Sequence, residues 1–287
     1  WIGQVLAKVS DPSFDALPRA IFAPHIDFGR GWINYANIYG RLRVVDRPDR
    51  IVILGTNHFG RGTGVIGCNK GFESPLGLCP LDEDFAGLLS RKLGKENADR
   101  FYKDRYDHER EHSIELQIPW IQHIFGADEQ GAFPKVFGVL VHDPTQNGGE
   151  SYDGEALAVE PFIEARRGAI GESGGRTLII CSADLSHCGR TFGDQQPFAG
   201  DAPEAVQFRQ GVAKHDEQML DLVKAGKADE LLASMAWSQN PTRWCSIGGL
   251  YSTLKVTGAS EVRIVNYAAA GDSQNMALVS SFAGAIF

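Results

Sequence analysis

Apolar runs of strand length alternate along this 287-residue chain with longer stretches whose apolar residues recur at helical spacing. The runs predict buried parallel strands, because they are rich in valine, isoleucine and leucine and lack a polar face. Two of these strands end at His25 and His58, and the others are predicted over residues 135–141, 177–182, 261–268 and 276–287. The alternation has no internal repeat and no linker, so we predict one α/β domain over residues 1–287.

The intervening stretches predict crossover helices over residues 31–42, 82–93, 154–169, 203–224 and 228–237, and a last helix that follows the turn at 240–249 and runs to Thr257. Residues 107–125 predict a helix that Pro119 kinks. The glycines and prolines of residues 60–80 predict a loop or a hairpin. Residues 1–19 predict an irregular or helical lead-in.

Polar side chains that can carry chemistry follow three of the predicted strands. They are His25 with Asp27, Asn57 with His58, and Asp184 with His187. A single histidine at a strand end is more often a hydrogen-bonded loop residue than a ligand. Three strand ends with the same signature predict a site, because open α/β sheets bind their ligands beyond the carboxyl ends of the strands. If the first two strands are neighbours, His25 and His58 form a candidate metal site.

The third ligand is open at this stage. Two histidines and one anionic ligand are typical of non-haem iron oxygenases. The available carboxylates are Asp27, Glu111, Glu115 and Asp184. Cys245 offers a thiolate instead, and it precedes a predicted helix whose dipole would lower its pKa, although a small buried hydrophobe is the commoner role of a cysteine. Because iron, copper and zinc all accept such ligands, the ligand type does not select the metal.

The run from Glu111 to Glu115 places both carboxylates one turn apart on a predicted helix, with His112 beside them. Such a run usually forms a solvated charged face. Here Ile114 and Ile118 predict a mostly buried helix, and buried charges need partners. We therefore expect these side chains to orient the imidazoles of the metal ligands.

Composition narrows the classes of function. The net charge of −8 argues against nucleic acid as the main partner. No apolar run is long enough to span a membrane, and no signal peptide is evident. The five cysteines form no CxxC pair, which favours reduced thiols and a cytoplasmic location. The chain lacks a GxSxG elbow, a phosphate-binding loop and a dinucleotide fingerprint, so serine hydrolysis and NAD chemistry are disfavoured.

Several of these segments resemble the Memo family, also called the AmmeMemoRadiSam system protein B group. The matching segments occur in the family's order and are Ala23-Pro-His25, Ile53-Leu-Gly-Thr-Asn-His58, Glu111-His-Ser-Ile-Glu-Leu-Gln-Ile-Pro-Trp120, Ser182-Ala-Asp-Leu-Ser-His187 and Asn266-Tyr-Ala268. The family is similar to class III extradiol dioxygenases, which are non-haem iron enzymes. The resemblance therefore implies a single three-layer α/β/α domain with a mainly parallel central sheet.

The resemblance also implies roles for individual residues. The family's two histidine ligands and one cysteine ligand correspond to His25, His58 and Cys245. His187 corresponds to the acid/base histidine of the dioxygenases, and Asp184 lies in the same motif. The side chains expected around the ligands are Asp27, Asn57, Glu111, His112 and Glu115. The chain departs from the family's pattern at His58-Phe59, where a histidine pair is common, and after Cys245, where Ser-Ile-Gly-Gly replaces Gly-Arg-His-Pro.

We therefore expect a metal-dependent oxidoreductase or dioxygenase-like protein. Iron is the favoured metal, with copper or zinc as alternatives, and the ligand is a small molecule or a peptide. The resemblance implies AMMECR1-like and radical-SAM proteins as partners. One alternative hypothesis is a non-catalytic scaffold that binds a metal, a ligand or a peptide. A weaker alternative is a zinc-dependent hydrolase, because zinc accepts the same ligands and activates water.

Overall fold

The computed structural model describes residues 1–9 and 13–287, so residues 10–12 of the lead-in predicted over residues 1–19 lie outside the described residues. The helices of this part are α1 (Ile2–Leu6), α2 (Phe28–Tyr39), α3 (Glu83–Tyr102), α4 (His112–Glu115), α5 (Ile118–Phe125), α6 (Val159–Glu172), α7 (Pro203–Lys224), α8 (Ala228–Ser238) and α9 (Ile247–Thr257). Its strands are β1 (Ala20–Ala23), β2 (Arg50–Gly55), β3 (Ile66–Gly67), β4 (Phe72–Ser74), β5 (Gly77–Cys79), β6 (Val136–Leu140), β7 (Thr177–Ser182), β8 (Asp184–Cys188), β9 (Arg263–Gly271) and β10 (Leu278–Ile286). Single turns of 3₁₀ helix cover Gly40–Leu42, Arg105–Glu109 and Arg190–Phe192.

The central sheet is mixed, and its middle is parallel. Its strand order is β3-β6-β2-β7-β1-β10-β8, and β9 also pairs with β10. The four strands β6, β2, β7 and β1 run parallel to one another, whereas β3, β8, β9 and β10 pair antiparallel. The four parallel strands therefore end at one edge, and the loops that follow them meet there.

Helices cover both faces of the sheet. The strand β2 alternates between them, since Val52 and Leu54 belong to one buried cluster and Ile51 and Ile53 to the other. The first cluster packs α3, α6, α7, α8 and α9 against the sheet, and the second packs α1, α2, α4 and α5. This arrangement confirms the predicted three-layer α/β/α domain with a mainly parallel centre.

Two details of the strands were not foreseen from the sequence. The strands β1 and β2 are not neighbours, because β7 lies between them and pairs with both. His25 and His58 still reach one edge, since all three strands are parallel. The segment Asp184–Cys188, expected as the polar end of the strand over residues 177–182, forms a strand of its own, β8, because its Leu185 and Cys188 are buried and it pairs antiparallel with β10.

The helix predictions differ from the structure mainly at element ends. The segment 107–125 is not one kinked helix but a 3₁₀ turn followed by α4 and α5. Pro119 lies in the first turn of α5, where its missing N–H costs nothing. The helix α3 extends to Tyr102, beyond the predicted end at residue 93, through a break at Gly94 with φ of 73°. The hairpin alternative for residues 60–80 is confirmed by β4 and β5.

Among the helices of the described residues, none combines the length and the apolar character that crossing a membrane requires.

Candidate metal centre

The candidate metal centre lies at the carboxyl edge of the parallel strands. His25 comes two residues after β1, His58 comes three residues after β2, and Cys245 lies two residues before α9. The imidazole rings of His25 and His58 are 5.1 Å apart between centroids. The Nε2 atom of His25 lies 3.3 Å from the Cys245 sulfur. Three segments that are distant in sequence thus bring three potential ligands together.

His25 is held in one tautomer by the end of β7. Its Nδ1 lies 3.2 Å from the carbonyl oxygen of Ser182, which can only accept, so Nδ1 carries the hydrogen and Nε2 keeps the lone pair. The backbone N–H of His25 donates to Asp184 at 3.0 Å. Burial lowers the pKa of His25, against the charge of Cys245, and so favours the neutral imidazole that a metal requires.

His58 is paired with a buried carboxylate. Its Nδ1 donates to Glu111 Oε1 at 3.0 Å, and its backbone N–H donates to Oε2 of the same side chain at 2.6 Å. Burial lowers the pKa of His58, but hydrogen bonds to Cys245 and Glu111 outweigh it and raise that pKa to about 10. Since Nδ1 bonds Glu111, the Nε2 atom is the one that faces Cys245.

The thiol of Cys245 is poised as a thiolate. Burial acts to raise the pKa of Cys245, yet the interactions of the sulfur with the imidazoles of His25 and His58 lower it to about 6. Cys245 has Ser246 Oγ as a further polar neighbour at 3.3 Å. The thiolate is the form of cysteine that binds metals, and this site favours it.

The donor set fits a metal ion. The ligand atoms of His25, His58 and Cys245 lie within 4.8 Å of one another. Bonds of about 2.0–2.3 Å at tetrahedral angles separate two ligand atoms by roughly 3.5 Å, close to the 3.3 Å between His25 Nε2 and Cys245 Sγ. A second group, formed by His58, Glu111 and His112, meets the same 4.8 Å limit.

Glu111 serves that second group as a hydrogen-bond acceptor. Besides the two bonds from His58, it accepts the backbone N–H of Ser113 at 2.8 Å, and His112 Nδ1 lies 3.2 Å from Oε1. Burial raises the pKa of Glu111, but the hydrogen bond and charge of His58 lower it to about 2. Glu111 is therefore a fixed anion that orients His58 and lies beside His112.

Asp184 and His187 belong to β8, and the Asp184 carbonyl oxygen lies 3.8 Å from the Cys245 sulfur. Asp184 Oδ2 is 3.7 Å from His25 Nε2, and burial raises the pKa of Asp184 to about 6, against the charge of His187. His187 Nδ1 lies 2.9 Å from the carbonyl of Leu185 and 3.2 Å from that of Arg243. These carbonyls fix the His187 tautomer and leave the lone pair on Nε2.

The structure places three predicted site residues away from the ligand atoms. Asp27 caps the start of α2 and pairs with Arg30. Asn57 bonds to Asp107 and to the backbone of the following loop, so it shapes that loop. Glu115 is exposed, because the short helix α4 directs it to the opposite side from Glu111.

Some buried polar residues near the site were not predicted from the sequence, and one of them supports the loop that carries His25. Gln117 donates to the carbonyl of Pro24 and to Ser182 Oγ, and so links the loop after β1 to the end of β7. The signal for it was a glutamine in an otherwise apolar helical run. His142 follows β6 with the same strand-end signature as His25, but its Nε2 bonds the carbonyl of Glu150. His142 shows that the signature alone does not make a ligand.

Comparison with known proteins identifies the family of this chain. The chain matches the family described as "Memo-like protein" over residues 2–286. It is similar to a MEMO1 family protein of Methanopyrus kandleri, with 28% identity over 272 residues, 93% of this chain and 82% of the relative. Similar relatives are a MEMO1 family protein of Methanococcoides burtonii, with 27% identity over 92% of this chain and 84% of the relative, and one of Thermotoga neapolitana, with 28% identity over 89% and 77%.

Proposed function

The chain belongs to the Memo-like family, and we propose that it is a metal-dependent oxidoreductase whose metal is held by His25, His58 and Cys245. The observation that supports this most is the convergence of two imidazole nitrogens and a sulfur within 4.8 Å. Iron is the metal we favour and copper the next. When bound, such a metal would supply electron transfer to or from a substrate or dioxygen.

His187 is the proposed acid/base group. Burial lowers its pKa, against the charge of Asp184, so at neutral pH its Nε2 accepts a proton from a bound substrate. Asp184, with its pKa raised to about 6, gains or loses a proton near neutral pH. Glu111 stays ionised and accepts the Nδ1 hydrogen of His58, which leaves the Nε2 lone pair of His58 for the metal while His187 works.

The proposed ligand is a small molecule or a peptide side chain that has an apolar or aromatic part. Phe59, 62% exposed, lies 5.6 Å from His112 between ring centroids. Phe192 lies 5.2 Å from His187. These rings flank the imidazoles and would bind a planar group by stacking. Phe59 stands where relatives often have a second histidine, so this rim is more apolar here.

The first test is the metal content of protein purified without oxygen. We expect the wild type to retain iron or copper in stoichiometric amount, and Cys245→Ser to bind it at least about 10–100-fold more weakly, because a hydroxyl is a poor ligand for these metals. Cys181→Ser is the matched control, since Cys181 is buried within β7 and should affect packing alone.

Equal metal content in Cys245→Ser and wild type would remove Cys245 from the site and make Asp184 the better third ligand. Zinc as the only bound metal would favour the hydrolase hypothesis. Oxygen uptake with catechols then tests turnover. A loaded protein that consumes no oxygen with any catechol or phenol tried would favour the non-catalytic scaffold.

A further inference from the structure

A carboxylate outside the metal centre is completely buried in the middle of α7. Asp216 has no exposed surface, and no lysine or arginine pairs with it among the described residues. Its oxygens instead accept hydrogen bonds from neutral donors. Oδ1 accepts from Trp244 Nε1 at 2.7 Å and from Ser186 Oγ, and Oδ2 accepts from Tyr267 Oη at 2.7 Å and from Ser280 Oγ. A buried carboxylate is tolerated only when it is bonded in this way.

The four donors come from four different segments. Ser186 belongs to β8, Tyr267 to β9 and Ser280 to β10, and Trp244 lies in the loop before α9. Two of these donors are sequence neighbours of the site, because Trp244 precedes Cys245 and Ser186 precedes His187. One carboxylate thus ties the segment that carries the thiol to the strand that carries Asp184 and His187.

The loop before Cys245 has a backbone conformation that needs such support. Gln239, Asn240 and Arg243 have φ of 58°, 47° and 59°, and the described residues contain just one other non-glycine residue with positive φ, Asn275. Each left-handed residue costs free energy and persists only where its surroundings enforce it. The loop is held by Asn240, which bonds the backbone of Trp244, and by Asp216, which bonds the Trp244 ring.

We propose that Asp216 is a positioning residue that fixes Cys245, through the Trp244 indole, against His25 and His58. The proposal rests on the proposed function, since Cys245 is taken as a metal ligand. Burial acts to raise the pKa of Asp216, but the neighbouring His215 and the hydrogen bonds from Ser186, Ser280 and Tyr267 lower it, so the acceptor is an anion. Hydrogen bonds to an anion are stronger and shorter than neutral ones. The indole is therefore fixed in place, and the sulfur of the next residue, Cys245, is held with it.

The chain offers matched variants for testing this. Trp244→Phe removes the indole N–H that reaches Asp216. Trp120→Phe makes the same loss of volume at a completely buried tryptophan whose Nε1 has no hydrogen-bond partner. Tyr267→Phe removes an equally short bond to Asp216, but from the sheet edge at β9. Circular dichroism and thermal unfolding would first establish that each variant is folded.

The readout is the affinity of each folded variant for Co²⁺, measured by chelator competition and by the thiolate-to-metal absorption band. We expect Trp244→Phe to weaken Co²⁺ binding about 10-fold or more, the usual effect of losing a group that orients a ligand. Trp120→Phe and Tyr267→Phe should stay within about twofold of the wild type. Equal loss in Trp244→Phe and the controls, or no loss in Trp244→Phe, overturns the proposal.

A second readout needs no metal. In the metal-free protein, iodoacetamide should alkylate Cys245 about tenfold faster in Trp244→Phe than in wild type, because losing a hydrogen bond to a charged group releases the loop. The controls should react at the wild-type rate. If the wild type binds no metal but alkylation still separates Trp244→Phe from the controls, the proposed function fails and the role of Asp216 stands. If alkylation does not separate them, the role of Asp216 is refuted.

Discussion

Glu111 and Asp184 are equally buried, at 2% exposure each, and each lies beside an imidazole of the metal centre. The regions that hold them differ. In the Glu111 segment, residues 105–115, the Glu111 carboxylate accepts hydrogen bonds from the ring and the backbone N–H of His58 and from the backbone N–H of Ser113. At the β7–β8 junction, residues 182–184, the N–H donors to the Asp184 carboxylate are backbone groups, those of His25 and Ile26. Accordingly, the pKa of Glu111 falls to about 2, whereas that of Asp184 rises to about 6.

This comparison shows that burial does not decide the protonation state of a carboxylate in this centre. Burial acts in the same direction on both groups, and the donors around each one decide the outcome. Glu111 is therefore a fixed anion that holds His58 in place. Asp184, in contrast, is a group that exchanges a proton near neutral pH. The proposed function would use both: the fixed anion to hold a metal ligand, and the titrating carboxyl group to exchange protons.

The largest effect should follow from removing the fixed anion. In Glu111→Ala the ring and backbone N–H of His58 and the N–H of Ser113 lose their acceptor. We expect a loss of about 3–5 kcal/mol in the free energy of unfolding at pH 7, measured by urea denaturation. Glu109→Ala is the control, because its pair with Lys70 is exposed and worth at most about 1 kcal/mol. A similar effect of both variants would show that Glu111 is no special anchor.

Asp184→Asn should have the opposite sign. Because the pKa of Asp184 is about 6 in the folded protein and 3.8 for an ordinary aspartate, ionisation is harder in the folded state. The stability that this group contributes is fully present below pH 3.8 and is lost as pH rises through about 6. An asparagine never ionises and keeps an acceptor for His25. At pH 7 the metal-free variant should therefore be more stable by up to about 3 kcal/mol.

The advantage of Asp184→Asn should vanish near pH 4, which urea unfolding between pH 4 and pH 8 would reveal. The matched Glu111→Gln variant should be less stable than wild type at pH 7. If Asp184→Asn were destabilised at pH 7 as well, the two carboxylates would be alike and the comparison would fail.

The smallest effect is expected at Glu115, one helical turn from Glu111. Because Glu115 is exposed and contacts no ligand, Glu115→Gln should change the free energy of unfolding by less than about 0.5 kcal/mol. Its metal affinity should equal that of the wild type, whereas Glu111→Gln should lose about 10-fold or more. Chelator competition measures both. A tenfold loss in Glu115→Gln would restore the role first expected of that residue.

The sequence pattern predicted the sheet and the edge that carries the candidate site, because both depend on simple periodicities. Apolar runs stopping at His25 and His58 were sufficient to place those residues at the carboxyl ends of parallel strands. Strand order was not predictable in the same way, since local residues do not encode that β7 inserts between β1 and β2. Cys245 has no strand-end signature, and among several candidate ligands it was selected through the family resemblance.

Directions of side chains were the harder part of the site. Helical spacing placed Glu111 and Glu115 on one face, but the helix that forms is a single turn, and Glu111 is its cap. As a cap, Glu111 turns back toward His58, while Glu115 points to solvent. The hydrogen bond from Trp244 to Asp216 joins two separate elements, so no local sequence pattern predicts it.

The position of β1 in the sheet has a consequence for how the protein is made. His25 follows a strand that pairs with residues 177–182 on one side and with residues 284–286 on the other. On the ribosome, Ala20–Ala23 emerges early but has no neighbouring strand until β7 has been synthesised, and it stays an open edge until β10 arrives. Such distant pairings form slowly and leave apolar chain exposed in the meantime. We therefore expect the metal to enter only once β10 has been synthesised and has closed the sheet beside His25.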